Sequence, residues 1–189
     1  MTNTVVESID DLKGKKIRTA TPSVTQALEL LGAVPMSKPA SEIYEMVAGG
    51  VMDGAIIPLD SMIDFKLDGL LKKVNAVPGG LVSSVMVIAI NPESWARITP
   101  GDQQAILAIS GKALADRAAK AHDEELKTAA EKLKAAGVEI IVPDQKVVEE
   151  IQSVTRPVRD AWIAEAAAAG MQDPKAMLDF IETQTGVGG

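Results

Sequence analysis

The chain contains no cysteine, which excludes disulfides, thiol catalysis, iron–sulfur ligation and cysteine-based zinc sites, and fits any redox compartment. Histidine occurs once, at His122, so no second imidazole is available to share a metal. Aromatic residues make up only 3% of the sequence and offer few stacking platforms for bases. Basic residues are also in short supply. Nineteen Lys and Arg face 26 Asp and Glu, and the resulting net charge of −7 repels a phosphate backbone, so no nucleic-acid partner is expected. Long hydrophobic runs are missing as well. Val74 to Pro92 carries no charge, but Pro78-Gly79-Gly80 interrupts it, and its continuous apolar part, Val85 to Ile90, has only the length of a strand. No basic segment followed by an apolar run opens the chain, so no secretory signal is read from it.

What is present is an ordinary globular composition, 47% hydrophobic and 24% charged over 189 residues, enough for one sizeable domain or two small ones. Residues 15 to 92 alternate short apolar runs with short helical patterns, the rhythm of βα units around a largely parallel sheet. Lys16 to Thr19 reads as a strand, Thr21 as a helix cap, Pro22 as a first helical residue, and Val24 to Leu31 as a helix stopped by Gly32. Ala33 to Met36 makes a second strand, Ser41 to Val47 a helix, and Asp53 to Ile57 a third strand. Pro58 then opens a helix over about Leu59 to Leu71, with a strand near Val74 and another at Val85 to Ile90. Beyond Thr99-Pro100 a single helix is expected from Gly101 to Ala136, about 54 Å at 1.5 Å per residue, long enough to bridge two bodies. Val138 to Val142 follows as a strand, and Asp144 and Asp173-Pro174 each begin a further helix.

Catalytic constellations are weak. His122, four residues from both Ala118 and Leu126, reads as a partly packed structural histidine. Asp60, Asp64 and Asp68 recur at i,i+4 spacing on one helix face, but with Lys66, Lys72 and Lys73 nearby they read as a solvated surface rather than a metal site. A metal-dependent hydrolase built on Asp60 and Asp64 would lack a base, a nucleophile and an oxyanion device. Neither a cofactor nor a metal is expected. Gly49 to Gly54 matches no phosphate-binding loop and reads as a helix stop and turn. Arg18 stands apart, at the carboxyl end of the first strand of an open α/β sheet, where ligands gather. A guanidinium there can grip a carboxylate through two parallel hydrogen bonds, with the following helix N-terminus adding favourable potential. By spacing alone it reads as an exposed arginine in a weak surface ion pair.

Several motifs in fixed order bear on that choice. Asp11-Leu12-Lys13-Gly14-Lys15-Lys16-Ile17-Arg18, Leu31-Gly32-Ala33-Val34-Pro35, Ser41-Glu42-Ile43-Tyr44-Glu45, Val51-Met52-Asp53-Gly54 and Phe65-Lys66-Leu67 together resemble the DctP-type solute-binding protein of TRAP transporters. The similarity continues through Ile90 to Trp95, Asp102 to Ile106 and Lys134 to Val138, and so covers nearly the whole chain. The resemblance implies an α/β, periplasmic-binding-protein-like (type II-like) lobe with a mostly parallel sheet, a long bridging helix and C-terminal helices. It implies a periplasmic receptor, not an enzyme, that closes by hinge motion on a small organic acid and delivers it to TRAP membrane permease subunits. Arg18 matches the family's carboxylate-clamping arginine. Many sialic-acid and dicarboxylate binders have an asparagine before the proline of the third βα junction, whereas this chain has Ile57 before Pro58. That departure implies a less hydroxylated, more apolar acid, with Met36 and Ile57 as pocket walls; Asp60 is expected beside them as a further ligand-binding residue.

Family members also carry an amino-terminal portion of about one domain's length before the Asp-Leu-Lys-Gly motif. By that comparison residues 1–83 and 124–189 build the second lobe, and residues 84–123 belong to a first lobe whose remainder this chain lacks. Val85 to Ile90, suited to the interior of a parallel sheet, would then be uncovered. Six such residues represent on the order of 10 kcal/mol of lost burial. A homo-oligomer is therefore expected, a dimer that pairs or exchanges these segments. The alternative is a truncated, self-associating remnant that binds no ligand.

Overall fold

The strands are short, and Pro22 at a helix start and Gly32 at positive φ punctuate the first crossover between them. In the computed structural model, which describes residues 1–78, 80–81 and 86–185, strand β1 (Lys16–Thr19) is central, with β2 (Val34–Ser37) parallel on one side and β3 (Gly54–Ala55) parallel on the other. Lys16 pairs with Val34, Arg18 with both Met36 and Ala55, and Ile17 with both Pro35 and Gly54. The β1–β2 crossover is helix α1 (Pro22–Leu30), which opens on Pro22 as expected. Thr21 occupies the cap position but its hydroxyl makes no capping bond. Gly32, at φ 78°, turns the chain into β2, a left-handed conformation that side chains resist. A 3₁₀ turn at Ala40–Glu42 leads into α2 (Ile43–Ala48), which returns the chain to β3.

A second parallel pair, β4 (Lys73–Asn75) with β5 (Glu139–Ile141), lies beyond β3. The first residues of the chain join the two pieces. The Thr2 amide donates to the Lys73 carbonyl at 3.0 Å, the Lys73 amide donates to the Thr2 carbonyl at 3.1 Å, and the Ala55 amide donates to the Met1 carbonyl at 3.0 Å. Thr2 therefore bridges Gly54 and Lys73 in antiparallel sense. Gly54 is required here, because a Cβ on it would meet the Met1 carbonyl oxygen at 2.2 Å. This strap has no counterpart in the pattern of βα units.

Three expected elements differ. The helix expected over Leu59 to Leu71 is a single turn, α3 (Ser61–Asp64), followed by a separate 3₁₀ turn at Leu67–Gly69. Lys66 at φ 55° is the break, a left-handed residue that ends the α-helical hydrogen-bond ladder. Asp68 consequently does not share the face of Asp60 and Asp64. The long helix expected over Gly101 to Ala136 is two, α5 (Pro100–Ala108) and α6 (Lys112–Ala135), after a short α4 (Pro92–Ala96). Gly111 adopts φ 60°, ψ −132°, far from helical, and the Ser110 hydroxyl donates back to the Ile106 carbonyl at 2.6 Å, closing α5. Of the expected strand Val85 to Ile90, Val85 lies outside the described residues and Met86 to Ile90 form no strand. Met86, Val87 and Ile88 are 91%, 79% and 78% exposed, so the apolar run finds no sheet to enter.

The core collects on both sides of this sheet. Ile17, Val24, Leu28 and Ala33 pack under α1. Ile43, Ala55, Met62, Leu67, Leu71, Val74, Leu133 and Val138 form the other body, which takes the carboxyl-terminal turns of α6 into the sheet. A third group, Val6, Leu31, Val147 and Ile151, seats helix α7 (Gln145–Ala168) against α1. Helix α8 (Pro174–Thr185) is tied to α7 where Arg159 donates to Glu182 at 2.6 Å and to Asp179 at 2.7 Å. Among the described residues from Asn75 to Thr128, none is buried.

That contrast predicts where stability resides. Leu133→Ala is expected to cost about 2–5 kcal/mol in urea unfolding, and Leu107→Ala on the exposed α5 less than about 0.5 kcal/mol. Comparable losses at both positions would show that α5 carries core packing of its own.

Candidate functional site

The candidate site begins with a cation in the middle of a sheet. Alternation along β1 sends Ile17 toward α1, so Arg18 faces the opposite side, together with its register partners Met36 and Ala55. Arg18 is 8% exposed, and its Nε donates to the Lys38 carbonyl just past β2 at 2.9 Å. Among the described residues no carboxylate pairs with it, and Nη1 and Nη2 have no hydrogen-bond partner. Neither nitrogen is among the sealed, unsatisfied polar atoms, so both keep access to solvent. Burial pushes the Arg18 pKa down, and nothing nearby offsets it. An arginine starts so high that it stays charged throughout the neutral range. The result is a partly desolvated guanidinium whose Nε is anchored and whose two terminal nitrogens are open to a forked acceptor.

The other expected residues divide. Met36 is half-buried and stands beside Arg18 across the β1–β2 ladder. Ile57 is half-buried two residues beyond β3 and packs against the core body of Ala55 and Met62. Asp60 turns elsewhere. It sits at the amino end of α3 in helical conformation, makes no capping bond with its side chain, and lines an open cleft of about 430 Å³ with Asp64, Glu125, Thr128 and Lys132. A smaller cleft of about 290 Å³ lies on the far side, near Asn3, Lys15 and Asp53. Arg18, Met36 and Ile57 line neither of these two clefts.

Two features were missed from sequence. One is the Lys38 carbonyl, a backbone acceptor that residue spacing does not reveal. The other is the surroundings of His122. Four- and seven-residue steps place it on the same stripe of α6 as Leu126, Ala129 and Leu133, as expected. Ala129 and Leu133 are buried, but His122 is exposed, because the stripe extends past the end of the core. The reading of a packed structural histidine is corrected accordingly.

A parallel sheet with helical crossovers, carrying a buried arginine at the carboxyl end of its central strand, defines an α/β lobe of the periplasmic-binding-protein type. The comparisons with known proteins agree, and the chain belongs to the bacterial extracellular solute-binding proteins, family 7 (DctP), whose profile matches residues 1–165. It is 30% identical over 95% of its length to a protein of Comamonas testosteroni named outer membrane transporter protein TsaT, covering 53% of that protein. It is also 27% identical, over 85% of its length, to the C4-dicarboxylate-binding periplasmic protein DctP of Rhodobacter capsulatus, covering 44% of it. Among solved structures it resembles a TRAP periplasmic solute-binding protein of Bordetella bronchiseptica with bound (R)- and (S)-mandelate. There the TM-score is 0.81 and identity 31%, over 95% of this chain and 57% of that one. A marine metagenome TRAP protein specific for aromatic acid ligands gives TM-score 0.80 and 26% identity, over 98% of this chain and 57% of that one. The chain thus spans about half the length of the relatives it matches. Two of these relatives, those of Rhodobacter capsulatus and Bordetella bronchiseptica, are named as periplasmic. No helix among the described residues is long and apolar enough to cross a membrane.

Arg18→Lys keeps a cation but removes the Nε donor to Lys38. It is expected to lower the unfolding free energy by about 1–3 kcal/mol, read from urea titration at neutral pH. An unchanged midpoint would show that the Lys38 carbonyl does not fix the arginine.

Proposed function

We propose that this chain is a ligand-gripping lobe of a TRAP transporter receptor that captures a small, apolar organic acid, an aromatic monocarboxylate in particular, and delivers it to membrane permease subunits. The observation that carries the reading is Arg18. A charge partly removed from water without a counter-ion carries a desolvation cost, and a bidentate carboxylate on the open Nη1 and Nη2 would offset it. Met36 beside it and Ile57 beyond β3 supply apolar neighbours where hydroxylated ligands would need polar ones. The mandelate and aromatic-acid ligands of the structural relatives support the same ligand class. The periplasm is the compartment this function requires. Asp60 is assigned to the rim rather than to the carboxylate grip, since it lines the cleft against α6.

The lobe assignment follows the same lines. Residues 1–83 and 124–189 belong with the arginine, and 84–123 with a partner lobe. Support comes from the exposed stretch from Met86 through α4, α5 and the first half of α6, which buries nothing. Closure would then be a hinge movement of the two lobes about the ligand.

Calorimetry with benzoate and mandelate is expected to give binding to the chain that Arg18→Ala weakens about 10- to 100-fold, as loss of a charged hydrogen-bond pair implies. Equal affinity of both forms for every acid tried would overturn the assignment.

A second reading, a self-associating form without ligand, is favoured by Met86, Val87, Ile88, Leu107 and Ile109, all more than 60% exposed. It predicts a stable dimer in sedimentation velocity at micromolar concentration, with Ile88→Lys shifting it to monomer. A monomer at all concentrations would eliminate it.

A further inference from the structure

We infer that Asp60, His122 and Glu125 form a binding site for a divalent transition-metal ion, zinc being the best match, that clips the segment following β3 to helix α6. One ligand atom from each residue, a carboxylate oxygen or an imidazole nitrogen, lies within 4.8 Å of the others. Bonds of about 2.0–2.2 Å in tetrahedral geometry place two donors of one zinc ion roughly 3.3–3.6 Å apart, so side-chain movements of about an ångström bring these atoms to ligating distance. The spacing is suited to it. His122 and Glu125 stand at i,i+3 on one face of α6, and Asp60 reaches them from the amino end of α3.

Three further observations separate this cluster from an ordinary surface patch. Asp60 Oδ1 is sealed from solvent and has no hydrogen-bond partner, the one such side-chain atom among the described residues. The helical conformation of Asp60 denies it the capping role that would satisfy it. Among the described residues none of the three side chains has an ion pair or a protein hydrogen bond, although Lys132 lines the same cleft. Two carboxylates brought together with Asp64 nearby repel one another, and a dication relieves both that repulsion and the orphaned oxygen. A donor set of one imidazole and two carboxylates favours zinc or a neighbouring first-row ion over calcium or magnesium, which take oxygen ligands alone. Three protein ligands leave the remaining positions to water.

The absence of cysteine and of any other histidine makes the test clean, because His122 is the sole imidazole that zinc can move. Zinc chloride is titrated into the full 189-residue chain after EDTA treatment, with calorimetry and the ring resonances of His122 as readouts. One zinc per chain is expected, with the His122 resonances shifting in step. Asp60→Asn, His122→Gln and Glu125→Gln should each weaken binding by about 10-fold or more, and Glu124→Gln, on the same cleft, by less than about 2-fold. Calcium in place of zinc should leave the ring resonances unmoved. The inference fails if saturating zinc leaves His122 unshifted in the unmodified chain, a result that does not depend on any variant folding. It fails equally if folded Asp60→Asn and Glu125→Gln bind zinc as the parent does. Because carboxylate capture is read on Arg18→Ala and zinc on His122, either conclusion can fall without the other.

Discussion

The arrangement depends on β1 being hydrogen-bonded along both edges, which fixes the backbone that carries Arg18 in the sheet. Arg18 is fixed through its backbone, whose carbonyl accepts from the Ile56 amide at 3.0 Å, and through its side chain, by Nε to Lys38. The charge is thereby partly desolvated and held in place without being neutralised. Strands β2 and β3 matter less for their own side chains than for closing those edges. The crossover helices in turn matter for returning each strand in parallel.

The strap at Thr2 extends this logic across the molecule. It carries the hydrogen-bond network from β3 to β4, and so from the half that holds Arg18 to the half that receives α6 through Leu133 and Val138. Lys73 and Glu139 form an ion pair across the β4–β5 ladder and reinforce its outer edge. Residues 86–128 stand outside this network. Their helices are well capped, Asn91 accepting from Glu93 and Ser94 and Thr99 accepting from Asp102, yet they contribute no buried side chain. Local helix signals and tertiary burial are thus uncoupled there.

Much of this was legible in the residues. The Lys16–Thr19 strand, the Thr21-Pro22 start of α1, the Gly32 stop and the starts at Asp144 and Pro174 all follow from local chemistry that the fold obeys. The position of Arg18 at the end of the central strand followed from the same reading. The misses have a common cause, which is that periodicity does not see backbone dihedrals. Lys66 looks like any helix surface residue until its φ proves positive, and Ser110-Gly111 sits inside a pattern that a continuous helix would satisfy equally well. Met86 to Ile90 illustrates the converse, an apolar run with strand composition and no neighbouring strand to pair with. Asp60, expected as a further ligand-binding residue, lies at the amino end of α3 in the cleft against α6. The His-x-x-Glu step that it meets there was present in the sequence, but only three-dimensional convergence gives it meaning.

Gly111 has a mechanical corollary. Three residues, Ile109 to Gly111, part α5 from α6, and from Met86 to Gly111 no side chain is buried, whereas Ala129 and Leu133 hold the other end of α6 in the core. The helix is thus rooted at one end only, and Gly111 breaks its axis from that of α5 where the burial has already run out.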